Sequence, residues 1–178
     1  MIRGMADVII AFDLETTGLD AASCEIVEIG AVPIIDGRIR EDCAFHALID
    51  PDRPIPADAT AIHGITDDMV RGRPRIEVVL PEFLRYAAGH ELLGHNLEFD
   101  LGFIQSACRK LELRPPAGRV HDTLLLSRQL HPGERRHALD DTCRRLGIEI
   151  GTRHRSLDDV LLTCRAFLMI RERLTARV

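Results

Sequence analysis

The stretch Asp7-Val8-Ile9-Ile10-Ala11-Phe12, continued by Asp13-Leu14-Glu15-Thr16-Thr17-Gly18, decides how this chain is read. Residues 7–12 are an apolar run rich in β-branched side chains, followed by polar residues and glycine, which predicts a buried strand. Two carboxylates stand where that strand ends. In extended chain, residues i and i+2 project to the same side. Asp13 and Glu15 therefore aim two hard oxygen ligands at one spot, the kind of donor that suits Mg²⁺ or Mn²⁺. An isolated D-x-E is more often a turn with solvated acids. The apolar strand in front and Thr-Thr-Gly behind move the reading toward ligands.

Downstream, Ile26–Ile35 predicts a second strand and Asp42–Ile49 a third, with Asp36-Gly37 as a hairpin signal between them. Pro51–Pro56 predicts a loop, and Ala57–Val70 short helical pieces broken at Gly64. Ile76–Ala88 carries helical spacing and is stopped by Gly89. His90–Gly94 predicts a short strand. Leu97, Leu101, Ile104, Cys108 and Leu111 line one face of a helix with Asn96 as its N-cap, closed by Pro115-Pro116. A strand near Val120 leads into a helix through Leu124 and Leu130; a helix over Leu139–Leu146 ends at Gly147; Leu157, Leu161, Cys164 and Leu168 mark a long final helix. Three early strands followed by strands alternating with helices predict an α/β fold built on a mixed sheet. A G-x-G-x-x-G after the first strand and a G-x-x-x-x-G-K-[ST] are both missing, so dinucleotide and P-loop readings lose support.

The bulk numbers agree. The 178 residues suit one domain, 46% hydrophobic content allows a real core, and 29% charged content argues against disorder. No apolar run is long enough to span a bilayer and no long apolar leader opens the chain, so a cytoplasmic protein with no membrane partner is expected. The five cysteines show no C-x-x-C spacing, so neither a disulfide framework nor a zinc site is suggested, and buried thiols are the expectation. The net charge of −5 argues mildly against broad duplex binding, but a site built of carboxylates adds negative charge that bound cations offset. Lys110 is the only lysine, a bias read as chain-wide composition rather than as a phosphate-binding feature.

Two further clusters carry chemistry-bearing residues. In Gly94-His95-Asn96-Leu97-Glu98-Phe99-Asp100, Asp100 falls in the first turn of a helix, near the positive end of its dipole. Ordinary first-turn acid placement explains it equally well, with His95 and Asn96 as turn residues and Phe99 as core. In His154-Arg155-Ser156-Leu157-Asp158-Asp159, a histidine that titrates near neutrality precedes a helix carrying Asp159 one turn inside. Ser156 and Asp159 also fit a capping box that needs no catalysis. Taken together, four carboxylates from distant segments and one histidine suit two divalent ions that activate a water and stabilise the leaving oxygen of a phosphodiester.

These three clusters resemble the exonuclease motifs of the DnaQ-like, DEDDh branch of 3′→5′ exonucleases, similar to proofreading epsilon subunits: FDLETTG at 12–18, GHNLEFD at 94–100 and HRSLDD at 154–159. EIVEIGAV at 25–32, IHGIT at 62–66, HDTLLLSR at 121–128 and HALDDTCRRLGI at 137–148 also look like the family. The resemblance runs in order along nearly the whole chain, expected to be a single exonuclease domain over residues 1–178. It implies a ribonuclease H-like fold, a central mixed sheet with antiparallel first strands flanked by helices. It implies Asp13, Glu15, Asp100 and Asp159 as ligands of two ions, Mg²⁺ or Mn²⁺, and His154 as general base. Substrate contacts carried over are Leu14, Thr16, Thr17, Gly18, Ile62, His63, His95, Asn96 and Phe99. His137 imitates the third motif, but Thr142 stands where its carboxylate would fall, so His137 is read as structural. Asp159 is preferred to Asp158 because its stripe through Thr163, Ala166 and Ile170 looks more inward. The implied activity is hydrolysis from a single-stranded 3′ end to 5′-nucleoside monophosphates, with DNA favoured over RNA as the partner. An RNA-directed exoribonuclease and a catalytically silent nucleic-acid-binding module are the alternatives. A DNA polymerase partner is compatible with the epsilon resemblance; the short stretch after the third motif favours a stand-alone repair or trimming enzyme equally.

Overall fold

In the computed structural model, residues 7–151 and 155–176 are described. The first strand, β1, runs Val8–Thr16 and β2 runs Ile26–Ile35. They pair antiparallel from Val8↔Ile35 to Glu15↔Glu28, with a register shift between Glu15 and Thr16. β1 is thus longer than the run at 7–12 predicts, and it carries both acids within the strand rather than past its end. Asp36 (φ 49°) and Gly37 (φ 74°) make the tight turn into β3, Arg38–Ile39. That pair of positive φ values is what a type I′ hairpin demands.

The strand expected over Asp42–Ile49 is shorter. Residues Glu41–Cys43 form a 3₁₀ turn, and β4 occupies Phe45–Leu48. Pro33 supplies the reason. Its carbonyl accepts from the Arg40 N–H at 2.9 Å, but it has no N–H to return, so the ladder on that edge is broken. β3 pairs with β2 at Ile34 and Ile35, β4 pairs at residues 28–31, and the chain between them leaves the sheet.

The helical pieces α1 (Ala57–His63) and α2 (Asp67–Val70) are separated at Gly64, φ 71°. α3 spans Ile76–Ala87, β5 Glu91–Gly94, α4 Leu97–Lys110, β6 Val120–Asp122, α5 Thr123–Leu130, α6 Leu139–Leu146 and α7 Ser156–Thr175. α4 stops before the prolines at 115–116, through a left-handed Glu112 (φ 56°) whose neighbour Leu113 returns its N–H to the Cys108 carbonyl. The sheet order is β3-β2-β1-β5-β6 with β4 also on β2; β5 runs parallel to β1, and β6 parallel to β5. A mixed sheet with antiparallel first strands and helices on both faces is what the sequence implied. Among the described residues, no helix is long and apolar enough to cross a membrane.

The pleat of β1 sorts its side chains between two layers. Ile10, Phe12 and Leu14 pack with Phe83 of α3 and Phe103 and Ile104 of α4, Phe12 lying 5.3 Å from the Phe83 ring. Ile9 and Ala11 point the other way, onto Val160, Cys164 and Phe167 of α7. Each large apolar side chain so buried contributes roughly 1.5–3 kcal/mol, and this grip on both faces fixes where the rest of β1 must lie. Cys108, Cys143 and Cys164 are buried as expected, whereas Cys24 is half-buried and Cys43 exposed.

Candidate metal centre

Asp13 and Glu15 continue the same alternation as Ile9 and Ala11, so they stand on the α7 face of the sheet. α7 packs on this face, with Val160, Cys164 and Phe167 in one cluster with Ile9 and Ala11, and its N-terminal turn lies beside Asp13 and Glu15. That turn carries Asp159, 7% exposed. One oxygen from each of Asp13, Glu15 and Asp159 lies within 4.8 Å of the others. Asp159 and not Asp158 joins the group, and its stripe partners Thr163, Ala166 and Ile170 are buried. Ser156 makes no capping bond with its side chain among the described residues.

Asp100 is 4% exposed in the first turn of α4 and lies outside this three-carboxylate set. It is tied to it through the backbone: its Oδ1 accepts the Leu14 N–H at 3.1 Å, between the two acids of β1. Pairing of β1 with β5 ends at Ala11↔Leu93, so Leu14 is past the end of that ladder and its N–H is taken by a side chain. Burial, and then the charges of Glu15 and Asp122, push the Asp100 carboxyl up to about 8, against the Leu14 hydrogen bond. A cation in the cluster would reverse that logic.

The implied general base, His154, lies outside the described residues. His137 is structural, as read: it is 8% exposed, its Nδ1 is 2.9 Å from Ser127 Oγ, and its Nε2 is 3.1 Å from the Glu134 carbonyl. The Thr142 hydroxyl donates to Ser127 Oγ and closes the knot.

The carried-over substrate contacts divide. Leu14 is a core side chain, so only its backbone faces the acids. The Thr16 hydroxyl donates to the Gly18 carbonyl at 2.7 Å, and Thr17 Oγ1 accepts the Glu25 N–H at 2.9 Å, so both hydroxyls hold the turn after β1. Gly18 packs so close to Cys24 that a Cβ there would meet its sulfur at 2.7 Å. Ile62 is 59% exposed at the end of α1, beside a buried His63 whose Nδ1 accepts the Ile65 N–H. His95 bonds Thr123 Oγ1 at 2.9 Å. Phe99, expected as core, is half-buried against Phe103.

Asn96 is not the side-chain cap expected. It sits left-handed (φ 62°) and exposed, and the Asp122 carboxylate does the capping, accepting the N–H groups of Asn96 at 3.0 Å, Leu97 at 3.1 Å and Leu124 at 2.8 Å. Asp122 thus ties the starts of α4 and α5 together, a role that only the strand-to-helix position of H-D-T hinted at. Glu28 and Arg155 also escaped the sequence reading. The fully buried Glu28 carboxylate takes Arg155 Nη2 at 2.8 Å, the Ser156 N–H at 2.9 Å and His46 Nε2 at 2.9 Å. Burial alone would raise its pKa; the bonds from His46, Arg155 and Ser156 outweigh that and hold it at about 2.

The family model described as "Exonuclease" matches residues 10–167. The chain belongs to the DnaQ-like exonuclease family. It is 40% identical over 171 residues to the DNA polymerase III subunit epsilon of Haemophilus influenzae, covering 90% of this chain and 66% of that protein. It is 42% identical over 174 residues to a DNA polymerase III subunit epsilon-like protein of Rhodobacter capsulatus, covering 94% of this chain and 24% of that one. The chain therefore spans only part of the length of these curated relatives. Among solved structures, it is similar to exonuclease X in complex with 5′ overhanging duplex DNA, at TM-score 0.73 and 31% identity over 93% of this chain and 92% of that one. It shares the fold of E. coli exonuclease I bound to a 5cy-dT13 oligonucleotide, at TM-score 0.85 and 18% identity over 97% of this chain and 42% of that one.

Proposed function

We propose that this chain is a metal-dependent 3′→5′ exonuclease that removes nucleotides one at a time from the single-stranded 3′ end of DNA, working as one exonuclease domain over residues 1–178. One observation carries the reading: Asp13, Glu15 and Asp159, from the first strand and the last helix, converge within 4.8 Å in a member of an exonuclease family. Like charges gathered so closely are costly without a cation, and an all-carboxylate donor set fits Mg²⁺ or Mn²⁺ rather than zinc. Such ions supply Lewis-acid stabilisation of phosphoryl charge when bound.

The chain's own residues have distinct tasks. Asp13, Glu15 and Asp159 hold the cations, with Asp100 completing the set from α4. His154 takes the proton of the attacking water at its imidazole. Backbone at Leu14, Thr16, Thr17 and Gly18, together with Ile62, His63, His95, Asn96 and Phe99, receives the terminal nucleotide. DNA is preferred to RNA because the relatives are named as DNA polymerase III subunits and exonuclease X was solved with duplex DNA. The same names make a DNA polymerase a candidate partner, and a cytoplasmic location follows from that work.

The test is digestion of 3′- and 5′-labelled DNA and RNA oligomers with Mg²⁺, Mn²⁺ or chelator, with Asp13→Ala as control. The expected result is metal-dependent release of 5′-mononucleotides from the 3′ end, faster on DNA. Activity that survives chelator, or release from the 5′ end, would overturn the proposal; faster RNA digestion would overturn its DNA preference.

A further inference from the structure

Glu28 is not one of the clustered acids, although strand pairing sets it opposite Glu15. Its carboxylate instead meets His46 of β4 and the two residues that open α7. Arg155 reaches Oε1 through Nε at 3.1 Å and Nη2 at 2.8 Å, and the Ser156 N–H reaches Oε2 at 2.9 Å. The Arg155 carbonyl in turn accepts the backbone N–H of Asp159 at 3.1 Å. An unbroken line of hydrogen bonds thus runs from β2 through Arg155 to a residue of the carboxylate cluster. Gly30, paired with Asp13, completes the seat: a Cβ there would lie 2.5 Å from Ser156 Oγ and 2.8 Å from the Leu157 nitrogen. The first turn of α7 therefore rests on bare strand backbone.

Apolar packing of Val160, Cys164 and Phe167 already holds α7 on the sheet. Such packing is non-directional and sets helix slide and rotation less sharply than charged, directional bonds do. A buried ion pair, by contrast, adds little net stability but fixes geometry through its charged, directional bonds. Groups that orient metal ligands in this way commonly govern affinity and rate by 10- to 100-fold.

We propose that Glu28, acting through Arg155 and Ser156, is a positioning residue for the cation site: it locks the start of α7 so that Asp159 meets Asp13 and Glu15. Arg155 also follows His154 directly in the chain, so the same lock sets the residue next to the assigned base. The kinetic part of this inference rests on the exonuclease reading, whereas the metal-binding part rests only on the carboxylate cluster.

The experiment compares Glu28→Gln and Arg155→Lys with the unsubstituted chain and with Ile170→Ala, which weakens the far end of α7. Mn²⁺ affinity is measured by titration calorimetry, kcat and KM on a 3′-labelled single-stranded oligomer, and Tm without metal. Both clamp variants are expected to lose about 10- to 100-fold in kcat and about tenfold in Mn²⁺ affinity, with KM within about threefold. Ile170→Ala is expected to lower Tm while leaving kcat and Mn²⁺ affinity in place. Should Glu28→Gln fail to fold, Arg155→Lys decides, since it keeps the charge at a side chain that is 36% exposed. Clamp variants that keep kcat and Mn²⁺ affinity within twofold, however far Tm falls, would overturn the inference, as would an unsubstituted chain that binds no Mn²⁺. If that chain binds Mn²⁺ but releases no nucleotide, the exonuclease reading fails and the affinity comparison alone decides the clamp.

Discussion

Glu15 and Glu28 face each other across β1 and β2, on one side of one sheet, yet they have opposite surroundings. Glu28 is fully buried and meets Arg155, His46 and the Ser156 N–H. Glu15 is half-buried and converges with two other carboxylates. The difference separates two uses of a buried acid. Where donors surround it, the acid anchors a helix; where three carboxylates converge, the cluster is a candidate place for a cation.

The strongest way to break this contrast is to substitute on the acidic side. Asp159→Asn is expected to cut mononucleotide release by about 10³-fold or more, since a cation site contributes several kcal/mol to the transition state. The same change should raise the metal-free Tm, because it relieves like-charge repulsion. A lower metal-free Tm with retained activity would place Asp159 with Glu28 as an anchor.

The two histidine segments sharpen the contrast next. His154→Ala is expected to lose roughly 10²–10⁴ in rate with Mn²⁺ binding kept. His137→Ala should instead destabilise by about 1–3 kcal/mol, because it takes the acceptor from the buried Ser127 hydroxyl hydrogen, although Thr142 still donates to that oxygen. Thermal melts beside single-turnover rates would show whether the two effects separate or trade places.

Gly30→Ala comes after these, at about 1–3 kcal/mol of stability, because the new methyl meets Ser156 and the Leu157 nitrogen. Denaturant midpoints measure it, and an unchanged midpoint would mean that α7 does not seat on Gly30. The smallest effect in ordinary buffer is acid sensitivity. Glu28 is held below its ordinary value, so its contribution is full above about pH 4.5 and is lost as pH falls toward about 2. Glu28→Gln should flatten the stability profile across this window alone; equal slopes in both proteins would deny the anchor its charge.

Much of this was legible in the sequence because the signals were local. The period-two pattern of Asp13 and Glu15 gave their common side, and the helical stripe of Asp159 gave its inward direction. What escaped depended on partners far along the chain. Glu28 lies within an otherwise apolar strand, and its meaning appears only when residue 155 arrives beside it. Asn96 looked like a cap because caps are usually read from the residue in place, whereas the capping carboxylate belongs to Asp122. The shortened third strand turned on the missing N–H of Pro33, a defect in the neighbouring strand.

The most direct test is a calorimetric Mn²⁺ titration of the metal-free chain beside Asp13→Ala and Asp159→Asn. Saturable binding in the unsubstituted chain, abolished or weakened at least tenfold by either substitution, is the expected result. Equal Mn²⁺ affinity in all three proteins, or none in any, would contradict a cation site formed where the first strand meets the last helix.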